Sequence, residues 1–79
     1  MVISVLFFGG TADVIGSRKA KIEIDAGSAV RDVLDRVVSN HPQLSKGKLL
    51  SAVNEEYSDL DVVLKDGDEV AIFTPVSGG

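Results

Sequence analysis

The hydrophobic period of this chain changes twice along its length, and few folds accommodate that. From the middle of the chain, Val30, Val33, Leu34, Val37 and Val38 fall at i, i+3, i+4, i+7 and i+8, a spacing that places all five on one stripe of a helix. Before it the period is two. Ala20 to Asp25 alternates Ala20, Ile22 and Ile24 with Lys21, Glu23 and Asp25, the pattern of a half-buried strand. Earlier still, Val2 to Phe8 is rich in β-branched and aromatic residues and stops at Gly9-Gly10, where a chain turns without steric cost. After the helix the short period returns in Leu49 to Asn54, less distinctly in Asp61 to Leu64, and again in Val70 to Thr74.

Local chemistry places the boundaries. Thr11 to Ile15 reads as one helical turn capped by Thr11 and stopped by Gly16. Ser28 is the expected cap of the main helix, and Asn40-His41-Pro42 its end, because Pro42 disfavours the α region for His41. Arg31 with Asp35 and Asp32 with Arg36 form candidate i, i+4 pairs on its solvent face. Asn54-Glu55-Glu56 and Lys65-Asp66-Gly67-Asp68 read as turns, the second with Gly67 free to take a positive φ. Strand, strand, helix, short strands, strand is not a row of βαβ units. The expected class is α+β: a β-grasp, ubiquitin-like fold with a mixed sheet of four to five strands and one main helix on one face. The last strand then returns beside the first.

Size and composition narrow the possible functions. Seventy-nine residues allow one small core, read as a domain over 1–75 followed by a flexible tail over 76–79. There is no cysteine, which removes disulfides, thiolate metal sites and a thiol nucleophile together. The net charge is −4, and the longest basic block is Arg18-Lys19, so neither nucleic acid nor a membrane is an expected partner. The apolar run Val2 to Phe8 is interrupted by Ser4 and is too short for a signal peptide or a membrane span. The expected location is cytoplasmic. His41, the single histidine, stands at a helix end in a capping or solvent role. Glu55, Glu56, Asp59 and Asp61 lack regular ligand spacing and read as a solvated loop; no metal site is expected.

Strand parity separates the two faces of the sheet, because residues two apart share a side. Ile3, Val5 and Phe7 face the core in the first strand, as do Val70 and Ile72 in the last. Leu6 and Phe8 then face outward with Ala71 and Phe73, an apolar patch on an acidic protein and hence a candidate partner site. Tyr57 lies on the preceding turn, and parity does not fix its direction.

Beyond Pro75 the chain has only Val76-Ser77-Gly78-Gly79, which reach roughly 13 to 14 Å when extended. Gly78 and Gly79 carry no Cβ, so an enzyme channel can close around their backbone on all sides. A terminal carboxylate there is ionised at neutral pH and can attack the α-phosphate of ATP. The acyl adenylate so formed is open to a sulfur nucleophile.

The stretch Asp66-Gly67-Asp68-Glu69-Val70-Ala71-Ile72-Phe73-Thr74-Pro75-Val76-Ser77-Gly78-Gly79 resembles the ending of the MoaD-like small subunits of molybdopterin synthase, ubiquitin-like sulfur carriers of the MoaD/ThiS superfamily. Val5-Leu6-Phe7-Phe8-Gly9, Val30-Arg31-Asp32-Val33-Leu34 and Ala52-Val53-Asn54-Glu55-Glu56-Tyr57 extend the likeness over nearly the whole chain. Thr74 departs from it, standing where the family often has the first proline of a pair. The resemblance implies a subunit that is not catalytic alone and binds no cofactor stably. An E1-like adenylating enzyme would activate Gly79 with ATP. The resulting thiocarboxylate, inserted on its tail into the large synthase subunit, would supply sulfur to molybdopterin. In that reading Gly79 is the carrier, Val76, Ser77 and Gly78 are the tail in the channel, and Leu6, Phe8, Tyr57, Phe73 and Pro75 meet the partners. Carriers for thiamin or tRNA thiolation use the same tail chemistry, and a ubiquitin-like protein modifier would end in an isopeptide bond to lysine instead.

Overall fold

The β-branched and aromatic segments form strands and the 3.6-period stripe forms a helix. A computed structural model describes residues 1–44 and 49–74. In chain order the elements are β1 (Val2–Phe7), α1 (Gly10–Ile15), β2 (Lys19–Glu23), α2 (Val30–Asn40), β3 (Leu50–Val53), β4 (Glu56–Tyr57) and β5 (Glu69–Phe73). The strands make one mixed sheet in the order β2-β1-β5-β3-β4. β1 and β2 are antiparallel, β1 and β5 parallel, and β5 pairs antiparallel with β3. The last strand thus lies beside the first, at the centre of the sheet, as the β-grasp topology requires.

Alternation decides which face is buried. Ile3, Val5, Val70 and Ile72 are completely buried and Phe7 nearly so, and they join Val30, Val33, Leu34 and Val37 of α2 in a single core. Ile24, Leu44, Leu49 and Leu64 close its margins. Apolar burial on this scale supplies the main driving force for folding.

Three local expectations are revised. Thr11 does not cap α1: Gly9, with φ +59°, holds the N-cap position, and Thr11 is buried two residues further on, in the first turn. Gly16 closes α1 as expected, its N–H donating to the Ala12 carbonyl at 2.8 Å. Ser28 does not cap α2 either. The N-cap is Ala29, whose N–H donates to Asp32 Oδ2 at 2.8 Å. The segment Asp61 to Leu64 is not a sheet strand; only Val63 makes an isolated bridge, to Ala29. Instead the carbonyls of Val62 and Leu60 accept the N–H groups of Val30 and Arg31 at 2.9 and 3.0 Å. The first turn of any helix has donors without intrahelical partners, and a neighbouring loop satisfies them here, so no serine cap is needed. On the helix face Arg31 pairs with Asp61, and Arg36 donates to the Glu23 carbonyl at 2.6 Å. The end of α2 is as expected, with His41 as C-cap and its N–H shared between the Val37 and Val38 carbonyls.

Candidate functional site

The face of the sheet opposite α2 carries the candidate site, and strand register assembles it. Leu6 pairs with Ala71, Ala71 with Ala52, and Ala52 with Tyr57. Paired residues project to the same side of a sheet, so these four form one transverse row across four strands. The next row toward the end of β5 contains Leu50 opposite Phe73. Phe8 joins it from just beyond β1, its N–H donating to the Ile72 carbonyl at 3.1 Å. The two alanines keep the middle of the face low while Leu6, Phe8, Tyr57 and Phe73 surround it. Beside Phe73 lies a shallow apolar depression of about 330 Å³ lined by Phe8, Gly9, Ala71, Phe73 and Thr74.

Exposure marks the anchors. Phe8 is 52% exposed and Tyr57 82%, whereas Leu6 and Phe73 are half-buried. Tyr57 packs edge-on against Phe73, ring centroids 5.8 Å apart at 64°, a favoured geometry for aromatic pairs. This settles the direction that parity left open: Tyr57 belongs to the patch. Its position depends on a two-residue turn, because Val53 pairs with Glu56 and leaves Asn54 and Glu55 between them. Both have positive φ, 49° and 73°, as the type I′ hairpin turn demands.

The structure therefore brings Leu6, Phe8, Tyr57 and Phe73 together on one surface. Pro75, Val76, Ser77, Gly78 and Gly79 lie outside the described residues. Sequence reasoning left out Leu50, 41% exposed, and the floor residue Ala52. Alternation along Leu50, Ser51 and Ala52 holds the clue, with Ser51 buried between outward neighbours. A serine on the inner side of a strand made that parity hard to assign.

Charged residues stand at two margins of this patch. Lys19, at the β2 end of the transverse row, and the hairpin-turn residue Glu55 are exposed. Among the described residues no group of three or more His, Cys, Asp or Glu side chains is placed to hold a metal, and none of their helices is long and apolar enough to cross a membrane. The surface offers apolar area and aromatic edges, the chemistry of protein recognition.

Comparison with known proteins agrees with this geometry. The ThiS family pattern matches residues 5–79. The molybdopterin synthase sulfur carrier subunit of Haemophilus influenzae is 40% identical, the alignment covering 99% of this chain and all of that protein. Among solved structures, the small archaeal modifier protein 1 of Haloferax volcanii superposes with a TM-score of 0.82 at 29% identity, over 95% of this chain and 98% of that one. A chain in the complex of subunits 1 and 2 of molybdopterin-converting factor from Helicobacter pylori matches with a TM-score of 0.69 at 27% identity, over the full length of both. With its β-grasp sheet and a family match running to the terminal glycines, the chain belongs to the ThiS family.

Proposed function

We propose that this protein is the sulfur-carrying small subunit of a molybdopterin synthase. The supporting observation is the apolar face of Leu6, Phe8, Tyr57 and Phe73, set where β5 leads toward a Gly-Gly end. A relative 40% identical along its whole length is a molybdopterin synthase sulfur carrier subunit, and a structural relative forms a two-subunit complex.

The chemistry follows from the terminal group. In the site of an E1-like partner, a carboxylate oxygen of Gly79 attacks the α-phosphorus of ATP and pyrophosphate leaves. A hydrosulfide equivalent then attacks the acyl carbon; the bond from that carbon to the bridging oxygen breaks, and AMP departs with that oxygen. A thiocarboxylate remains at Gly79. The partners supply the catalytic groups for these steps, and the domain carries the reacting end. It docks through the apolar face and presents the tail, first to the activating enzyme and then to the large synthase subunit. Using one face for both partners requires that neither complex be too tight, which a modest patch with charge at its margin allows.

Intact mass of the protein purified from its native cells tests this reading directly. Exchange of one terminal oxygen for sulfur is the expected result, together with loss of molybdopterin synthesis when Gly78 and Gly79 are deleted. Synthesis that persists without them in a cell holding no substitute rules it out. The likeness to an archaeal modifier protein favours one second reading, conjugation of Gly79 to lysine amines. Branched Gly-Gly remnants from this sequence on cellular lysines are its signature.

A further inference from the structure

The parallel ladder of β1 and β5 ends at the pair Phe7 and Ile72, and a buried hydroxyl closes it. Thr11, in the first turn of α1, is completely buried. Its Oγ1 lies 3.0 Å from the Ile72 carbonyl and 2.7 Å from the Phe8 carbonyl, and accepts from the Phe8 N–H at 3.1 Å. A hydroxyl has one proton and two lone pairs. The Phe8 and Ile72 carbonyls therefore share that one proton, with the shorter contact to Phe8. The Ile72 carbonyl also takes the Phe8 N–H at 3.1 Å. The Phe8 N–H and the Thr11 hydroxyl thus both reach the carbonyl of the last inward residue of β5 from one corner.

The corner also backs onto the residue where the described chain ends. A Cβ placed on Gly10 would stand 3.7 Å from Thr74 Oγ1, and one on Gly9 4.0 Å. Packing alone does not call for a hydroxyl at position 11, since valine has the same shape and no polar atom to satisfy. Burying a hydroxyl is tolerable because each of its bonds is made, and those bonds all go to the root of the tail or to Phe8.

We infer that Thr11, with the Phe8–Gly10 corner, is a positioning residue that fixes the end of β5, Ile72 through Thr74, to which the reactive end of the chain is joined. The apolar face decides where a partner lands, and this clamp decides where the tail root stands relative to it. The inference rests on Gly79 being the reactive end.

The test compares full-length Thr11→Val, Thr11→Ser and, as a core variant outside the corner, Val33→Ala, all at a temperature where every variant is folded. ATP–pyrophosphate exchange by the activating enzyme is expected to show kcat about tenfold lower for Thr11→Val, because small misplacements of a reacting group are costly. KM should stay within about twofold, since the docking face is intact. Thr11→Ser should restore kcat, and Val33→Ala should keep it despite its lost stability. Unchanged kcat in Thr11→Val, or an equal fall in Val33→Ala, overturns the clamp. Absence of exchange with the wild-type chain overturns the reading of Gly79 instead. Amide hydrogen exchange at Phe8 and Phe73 examines the clamp without any enzyme: faster exchange in Thr11→Val than in Val33→Ala is expected, and equal rates refute it.

Discussion

Asp68 shows how much of this fold is fixed by single side chains. Its carboxyl is held below the ordinary value, first by the Lys65 N–H at 2.8 Å, then by the Asn54 side-chain amide at 3.1 Å, with a smaller contribution from the Lys65 charge; slight desolvation opposes them. A group with a depressed folded pKa stabilises the fold above its unfolded value, and that contribution disappears as pH falls through the folded one. The Tm advantage of the wild type over Asp68→Asn should therefore be full above about pH 4, near the ordinary Asp value, and shrink on further acidification. Thermal melts across that range check the sign. Glu55 presents the opposite case, a side chain in a conformation that suits glycine, with φ 73°. Glu55→Gly should relieve that strain and raise stability by roughly 0.5 to 1 kcal/mol net of the added unfolded-state freedom, read as a higher denaturant midpoint. The turn at Asp66, Gly67 and Asp68 was legible from composition, and Gly67 does take a positive φ of 86°. The partners of these carboxylates were not, since Asp66 Oδ1 receives the N–H of Val2, nearly the whole chain away. A local rule makes Thr11 a cap, whereas its hydroxyl is buried between the neighbouring Phe8 and the distant Ile72.

Among the elements, α2 and the two central strands were the most legible, because long periodic patterns report burial directly. Val30, Val33 and Leu34 are all completely buried, as the stripe requires. Leu34→Ala should cost about 3 kcal/mol through lost transfer energy and a residual cavity, lowering Tm by about 4 to 8 °C per kcal/mol in a domain of this size. Calorimetry measures it. The short elements were harder to read. β4 is two residues long and exists only because a tight turn folds it against β3. The extended piece before Leu64 was visible as such, but its role, supplying carbonyls to the open end of α2, depends on tertiary placement that no window of sequence contains.

In the molecule as a whole, the proposed function asks the outer face and the tail to act together. Phe73 sits at the centre of the aromatic cluster, against Tyr57 and beside the depression next to Phe8. Phe73→Asp is expected to weaken binding to both the activating enzyme and the large synthase subunit by tenfold or more, about 2 kcal/mol for an interface anchor; titration calorimetry with each partner would show it, and unchanged affinity for both would count against a shared surface. The facing of Leu6, Phe8 and Phe73 was readable from alternation, whereas the inclusion of Tyr57, Leu50 and Ala52 needed the register of strands that are distant in sequence. That register has another effect. β5 alone joins the β1–β2 hairpin to the β3–β4 hairpin, and isolated two-stranded hairpins are marginal in water. Nascent chains stalled on the ribosome with Asp68 as their last residue should accordingly be digested by protease far faster than the released protein. Because β5 is the last of these strands in chain order, the two hairpins have nothing to join them until it has been synthesised.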